Sequence, residues 1–134
     1  MITIKKIHHV GIAVKNLEKS IGFWTGILGL PLKNIEEVPS HQVKVAFLNT
    51  GESDIELVAR LDNDDLEKMN KTETFSGLDH LCLEVEDLEQ TLIFLATRGV
   101  RLRNETPVTL PGRKIAFVDP IESDDVLLEF YELT

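Results

Sequence analysis

The sequence of 134 residues is 43% hydrophobic and 28% charged, which is typical of a globular domain large enough to bury a sizeable core. Its net charge of −9 argues against a nucleic-acid partner or an anionic membrane, because either would need a basic face. Its single cysteine, Cys82, excludes an internal disulfide and favours a reducing compartment, so the predicted location is the cytoplasm.

The chain contains two copies of one unit. Three segments of the first half recur in the second half, in the same order and with similar residue types: 8–14 with 79–85, 44–49 with 114–119, and 55–58 with 128–131. We therefore predict two modules, at about residues 1–60 and 77–134, joined by a connection at about residues 61–76. Modules of this size would be marginal alone, so we expect a single domain over residues 1–134.

The first module opens with a predicted strand at residues 4–14, in which Val10, Ile12 and Val14 share one face and His9 lies on the other. A helix should follow, with Asn16 as its N-cap and Gly29 just past its end. Its apolar residues fall at helical spacing and should cover the apolar face of the strand; they are Leu17, Ile21, Trp24, Ile27 and Leu28.

An acidic segment at 34–37 leads into a predicted turn at 38–42, since proline disfavours helix at the residue before it. Strands are predicted at 43–48 and 54–58. In the second of these, Ile55 and Leu57 share a face, and Glu56 points to the opposite side.

The second module repeats this order. A strand at 79–85 carries His80, Asp87 is the expected N-cap of the next helix, and Gly99 should end that helix. In the last strand, at 126–131, Glu129 faces away from its apolar neighbours. Strict alternation places His8 on the face opposite His9, so His8 is not counted among the site residues.

The faces that the helices leave uncovered carry one histidine and one glutamate from each module. If a pseudo-twofold axis relates the modules, these four side chains converge. A lone strand histidine is more often structural than a ligand, but the repeat makes a double coincidence improbable. Two imidazoles and two carboxylates suit one divalent ion, such as Co, Mn, Ni, Zn or Mg. The predicted ligands are His9, Glu56, His80 and Glu129.

With these residues the whole chain resembles the vicinal-oxygen-chelate superfamily, also called the glyoxalase/bleomycin-resistance fold. The resemblance implies an α+β fold in which two tandem βαβββ modules form a curved mixed eight-stranded sheet, with a metal site in the cleft.

Within that superfamily the sequence is most similar to the methylmalonyl-CoA epimerases, at segments 7–14, 35–39, 43–47 and 55–58. This resemblance implies an isomerase that exchanges the proton on the carbon atom lying between a thioester and a carboxylate. The reaction passes through an enolate that a divalent ion stabilises. It also implies an acyl-CoA or similar thioester substrate, a homodimer, and a role for Glu129 as both ligand and base.

Epimerisation needs a second base on the other face of the enolate. The family commonly has an acidic residue after the proline equivalent to Pro39, where this chain has Ser40. Glu37 and His41 are the candidates to replace it.

Two other functions stay open. Glyoxalase I, a lactoylglutathione lyase, uses the same types of ligand, but many bacterial members hold glutathione with an arginine where this chain has Ala13. A non-catalytic binding protein of the same fold is the second alternative, although such members generally lack the four ligands.

Overall fold

A computed structural model describes residues 2–61 and 77–134 of the chain. The described residues include eight β-strands, which belong to one mixed sheet, as the sequence predicted. The strands are β1 (Ile4–Ala13), β2 (Leu32–Val38), β3 (Val43–Asn49), β4 (Asp54–Arg60), β5 (Gly77–Val85), β6 (Val108–Leu110), β7 (Arg113–Val118) and β8 (Leu128–Leu133). The predicted connection at about residues 61–76 lies outside the described residues, except for Leu61.

Two helices follow the strands that carry His9 and His80. They are α1 (Leu17–Ile21), which continues as a π-helical segment (Gly22–Ile27), and α2 (Leu88–Thr97). Two 3₁₀ turns, Pro39–His41 and Pro120–Ser123, follow β2 and β7. None of the described helices is long and apolar enough to cross a membrane.

Contacts divide the chain into two compact units. The N-terminal unit comprises Val10–Asp79, and the C-terminal unit comprises Met1–His9 together with His80–Thr134. The beginning of β1 thus groups with the second predicted module. Folding of residues 1–134 as a single domain stays a prediction.

The N-terminal unit has the strand order β2-β3-β4-β1. Strands β2, β3 and β4 are antiparallel neighbours, with Ile35 opposite Ala46 and Ala46 opposite Leu57. The turn predicted after β2 is present, but the sequence predicted neither β2 nor the short strand β6 of the other unit. The reason for β2 is that most of its side chains are exposed, so it lacks apolar alternation. Strand β6 has only three residues, too few to show a period.

Helix α1 packs its apolar side on this part of the sheet. The N-cap prediction is confirmed, because the side-chain oxygen of Asn16 accepts a hydrogen bond of 3.0 Å from the backbone N–H of Lys19. Helix and strands enclose an apolar core formed by Val14, Leu17, Ala46, Leu48, Leu57 and Ala59. Burial of each large side chain contributes about 1.5–3 kcal/mol, which fixes the face of the strands that lies inside.

The second half of this predicted helix differs from expectation. From Gly22 the hydrogen bonds shift to a π pattern, in which the N–H of Leu28 donates to the carbonyl of Phe23 at 3.0 Å. Glycine has low helix propensity, and the hydroxyl of Thr25 also donates to the carbonyl of Ile21 at 2.6 Å. The extra residue in the π turn rotates the end of the stripe outward, so that Ile27 is 76% exposed.

The C-terminal unit has the strand order β1-β5-β8-β7-β6. Strands β5 and β8 run parallel, and β7 is antiparallel to both β8 and β6. Helix α2 begins as predicted, because the Asp87 carboxylate accepts a 3.0 Å hydrogen bond from the backbone N–H of Gln90. Gly99 follows the helix with a positive φ of 78°, a conformation that glycine adopts without steric cost.

Two clusters of side chains mark the two faces of the sheet in this unit. The first includes the helix residues and consists of Val85, Leu88, Leu92, Ala116, Val118 and Phe130. The second consists of Cys82, Ile115 and Tyr131. Since successive strand residues alternate between faces, Glu129 lies on the face of the second cluster, away from α2.

Candidate metal centre

Three predicted ligands meet in the C-terminal unit, one from each of the neighbouring strands β1, β5 and β8. Nε2 of His9 lies 3.0 Å from Nε2 of His80 and 3.1 Å from Oε1 of Glu129. Nε2 of His80 lies 3.1 Å from the same carboxylate oxygen. All three side chains are buried.

The register between β5 and β8 explains part of this convergence. Cys82 is paired with Glu129 in the parallel ladder. His80 is two residues before Cys82 and therefore shares its face. The apolar neighbours Leu81 and Leu83 of β5 point to the helix side, and Leu83 packs against the α2 core. The apolar contacts of α2 thus orient the polar residues of these strands away from the helix.

The carboxyl of Glu129 is held in its ionised form. Burial by itself raises its pKa, but hydrogen bonds to His80 and His9 and the charges of these two histidines outweigh this effect and lower the pKa to about 2. At neutral pH the centre therefore holds a buried carboxylate beside two imidazole nitrogens.

The spacing of these atoms fits a metal ion. Metal ions bring the ligand atoms that they share to about 3–3.5 Å from one another. The three observed separations, 3.0 Å, 3.1 Å and 3.1 Å, bring one oxygen and two nitrogens close enough to share one ion. Two nitrogens and one oxygen are also the ligand types that borderline and hard divalent ions prefer. His9, His80 and Glu129 are therefore the residues of this unit that could hold such an ion.

Glu56, the fourth predicted ligand, belongs to the N-terminal unit. It lies on β4, opposite Phe47 of β3, and it is buried. Its neighbours Ile55 and Leu57 both pack against the core of α1, so Glu56 points to the other side of the strand, which is the orientation that the sequence predicted. Its role as a ligand stays a prediction.

The two candidates for a second base have more exposed surroundings. Glu37 lies at the end of β2, opposite Lys44, and its side chain is exposed. His41 is in the 3₁₀ turn that follows, where its Nδ1 lies 3.1 Å from the hydroxyl of Ser40. Neither role is settled by these surroundings, and both remain predictions.

The sequence missed the position of His8. Strict alternation placed it on the face opposite His9, but its Nδ1 lies only 2.7 Å from Nδ1 of His9. Its ring is stacked on Tyr131, with 3.8 Å between ring centroids and 19° between ring planes. The side chain of His8 therefore contacts both the metal centre and the cluster beside it. In the sequence, only the adjacency of the two histidines indicated that His8 could lie beside His9. The alternation of strand side chains predicted the opposite.

Comparison with known proteins shows the family to which the chain belongs. Residues 8–117 match the glyoxalase/bleomycin resistance protein/dioxygenase superfamily, and the chain belongs to this superfamily. This confirms the predicted family and, with it, the predicted fold.

Within the superfamily the chain is 32% identical over 130 residues to the mitochondrial methylmalonyl-CoA epimerase of Homo sapiens, which covers 92% of this chain and 72% of that protein. The crystal structure of methylmalonyl-CoA epimerase from Mycobacterium tuberculosis is 29% identical and superposes with a TM-score of 0.87, over 98% of this chain and 89% of that one. The predicted similarity to the epimerases is therefore confirmed.

A relative with a different name also matches. The probable lactoylglutathione lyase of Synechocystis sp. is 30% identical over 112 residues, which is 83% of this chain and 84% of that protein.

Proposed function

We propose that the protein is a metal-dependent epimerase that acts on an acyl-CoA thioester, with methylmalonyl-CoA or a close relative as substrate. The observation that carries the proposal is the buried triad of His9, His80 and Glu129, whose ligand-type atoms lie 3.0–3.1 Å apart, in a chain whose named relatives include methylmalonyl-CoA epimerases.

The metal would be held by His9, His80 and Glu129, with Glu56 as the proposed fourth ligand. Support for Glu56 comes from the repeat, because it occupies the position in the last strand of the first module that Glu129 occupies in the second. A bound divalent ion would stabilise the negative charge that develops on the substrate's oxygen atoms when the α-proton leaves.

The residues of the triad have different chemical roles in the proposed reaction. The two imidazoles offer neutral Nε2 lone pairs, and Glu129 offers a negative charge that burial keeps out of water. The pKa of Glu129 is lowered by the same two histidines that would share the metal ion with it. We therefore propose Glu129 as a ligand and as a possible base.

Proton transfer then needs a further group. Ser40 has no basic function at neutral pH, so the proposed second base is Glu37 or His41. The predicted homodimer and the cytoplasmic location stay predictions.

The decisive experiment follows the α-proton. The protein, loaded with Co²⁺, is incubated with methylmalonyl-CoA in heavy water, and deuterium at the α-carbon is measured by mass spectrometry. We expect exchange far above the spontaneous rate, and its loss in Glu129→Ala. The variant Glu89→Ala is a matched control, since Glu89 is an exposed glutamate on α2 with 65% of its side chain accessible.

Exchange at the same rate in wild type and in Glu129→Ala would overturn the epimerase proposal. The variants His41→Ala and Glu37→Gln identify the second base when each epimer of methylmalonyl-CoA is supplied separately. The second base is the residue whose loss abolishes exchange from one epimer, while exchange from the other epimer and the bound metal are retained.

Glyoxalase I-like isomerisation is the second candidate, and the similarity to the Synechocystis lyase favours it. The same preparation should be assayed with the hemithioacetal of methylglyoxal and glutathione. Turnover of this adduct without α-exchange in methylmalonyl-CoA would replace the proposed function with the alternative.

A further inference from the structure

The two histidines at the start of the repeat contact each other, and the proposed function assigns no role to this contact. His8 and His9 are neighbours in β1, and their Nδ1 atoms are 2.7 Å apart. This separation is in the range of a hydrogen bond between ring nitrogens. The other ring nitrogen of His9, Nε2, faces His80 and Glu129. His9 is thus engaged on both sides of its ring.

We propose that His8 is a positioning residue, which accepts a hydrogen bond from Nδ1–H of His9 and thereby keeps Nε2 of His9 unprotonated and aimed at the metal centre. The inference rests on the proposed metal-binding function of His9. It assigns to His8 a role that acts through His9.

The direction of the hydrogen bond follows from the chemistry of imidazole. A neutral imidazole carries one proton, on either Nδ1 or Nε2. His9 can offer a lone pair at Nε2 only if its proton is on Nδ1. Because the nearest ring nitrogen there is Nδ1 of His8, His9 must donate and His8 must accept. His8 then carries its own proton on Nε2.

His8 is fixed well enough to act in this way. Its ring is half-buried and stacked on Tyr131, and Tyr131 belongs to the cluster with Cys82 and Ile115. Stacked aromatic rings have a defined mutual orientation. Packing against Tyr131 therefore fixes the position of Nδ1 of His8. The hydrogen bond between the two Nδ1 atoms in turn orients the ring of His9.

This arrangement is unusual in one chemical detail. Metal-binding histidines generally donate their second N–H to a carboxylate, a backbone carbonyl or water, and loss of that partner lowers metal affinity by about 10- to 100-fold. Here the acceptor is a second histidine. A neutral acceptor orients His9 and fixes its tautomer without adding negative charge to a site that already contains the Glu129 carboxylate.

Two variants separate hydrogen bonding from packing. His8→Phe keeps an aromatic ring that can stack on Tyr131 but removes the acceptor. His8→Asn loses the ring, but its side-chain oxygen can take the place of Nδ1 as acceptor. We expect about 10- to 100-fold weaker Co²⁺ binding for His8→Phe in competition with a chelator, and near wild-type binding for His8→Asn.

A second readout needs no metal. In metal-free protein labelled with ¹⁵N-histidine, NMR should detect a proton on Nδ1 of His9 that is hydrogen-bonded to Nδ1 of His8, as a coupling between the two nitrogens. In His8→Phe this coupling is absent, and the Nδ1 proton of His9 should be lost in part of the molecules. If wild type binds no divalent ion, the proposed metal function fails, but the tautomer measurement still tests the contact between His8 and His9.

Three results would overturn the inference. The first is equal Co²⁺ affinity of wild type and His8→Phe. The second is a wild-type His9 without a proton on Nδ1. The third is binding of two ions per chain with a cobalt–thiolate absorption band, because the ring nitrogens of His8 and His9 and the sulfur of Cys82 also lie within 4.8 Å of one another. That band would assign His8 to a second metal site.

Discussion

The two copies of the repeat begin alike and then diverge in their helices. Asn16 and Asp87 hold the same position relative to His9 and His80, and each caps its helix with a 3.0 Å hydrogen bond. Helix α2 then continues as a regular α-helix to Thr97, whereas α1 changes to a π-helical segment at Gly22. The part of the repeat that the two copies share therefore contains the two histidines proposed as metal ligands, and the copies differ only after the helix start.

The largest expected effect tests whether both copies supply a carboxylate ligand. Glu129→Gln should weaken Co²⁺ binding by more than about 100-fold, since loss of a direct ligand should exceed the effect of an outer-shell partner. Glu56→Gln should have a comparable effect if the repeat is functionally symmetric. Titration calorimetry measures both, with Glu89→Gln as the surface control. Unchanged affinity in Glu56→Gln would restrict the ligands to the C-terminal unit.

The next effect compares the burial of equivalent helix residues. Leu92 of α2 and Ile21 of α1 hold corresponding positions, but Leu92 is only 2% exposed whereas Ile21 is partly exposed. Leu92→Ala should lower the free energy of unfolding by about 2–5 kcal/mol. Ile21→Ala should cost clearly less, because part of its surface already contacts water. Urea denaturation followed by circular dichroism measures both values, and equal losses would contradict the difference in packing.

Removal of the helix cap should cost about the same stability in both copies, unlike the removal of a core side chain. Asn16→Ala and Asp87→Ala each remove one side-chain acceptor from the first turn, so each should cost about 1 kcal/mol. The same denaturation series measures this effect, with Asn16→Asp and Asp87→Asn as variants that retain the cap. A negligible loss in either alanine variant would show that the cap contributes little in that copy.

These comparisons also separate what the sequence could predict from what it could not. The repeat, the strand faces and the caps rest on local periodicity, and the structure reproduces them from Asn16 to Glu129. The π-helical segment at Gly22–Ile27 depends on a choice between α-helical and π-helical hydrogen bonds. The spacing of apolar residues in the sequence does not reveal that choice. The position of His8 depends on side-chain packing against Tyr131, 123 residues later in the sequence. Long-range contacts of this kind override strict alternation.

The smallest effect tests why α1 departs from α2. Gly22 has helical backbone angles, φ −57° and ψ −39°, and an added Cβ would meet no atom within 4 Å. Gly22→Ala should therefore stabilise the protein by about 0.4–1 kcal/mol, because alanine has less freedom to lose on folding.

Gly29 provides the matched control. Its φ of +81° is unfavourable for alanine, so Gly29→Ala should destabilise the protein by about 1–2 kcal/mol. Opposite signs for these two substitutions in thermal denaturation would show that glycine has a steric role only at the end of the helical segment. A loss of stability in Gly22→Ala would instead show that the π-helical segment requires glycine where it begins. The departure of α1 from α2 would then be a conformational requirement of the N-terminal unit, and the lower helix propensity of glycine would be a secondary cause.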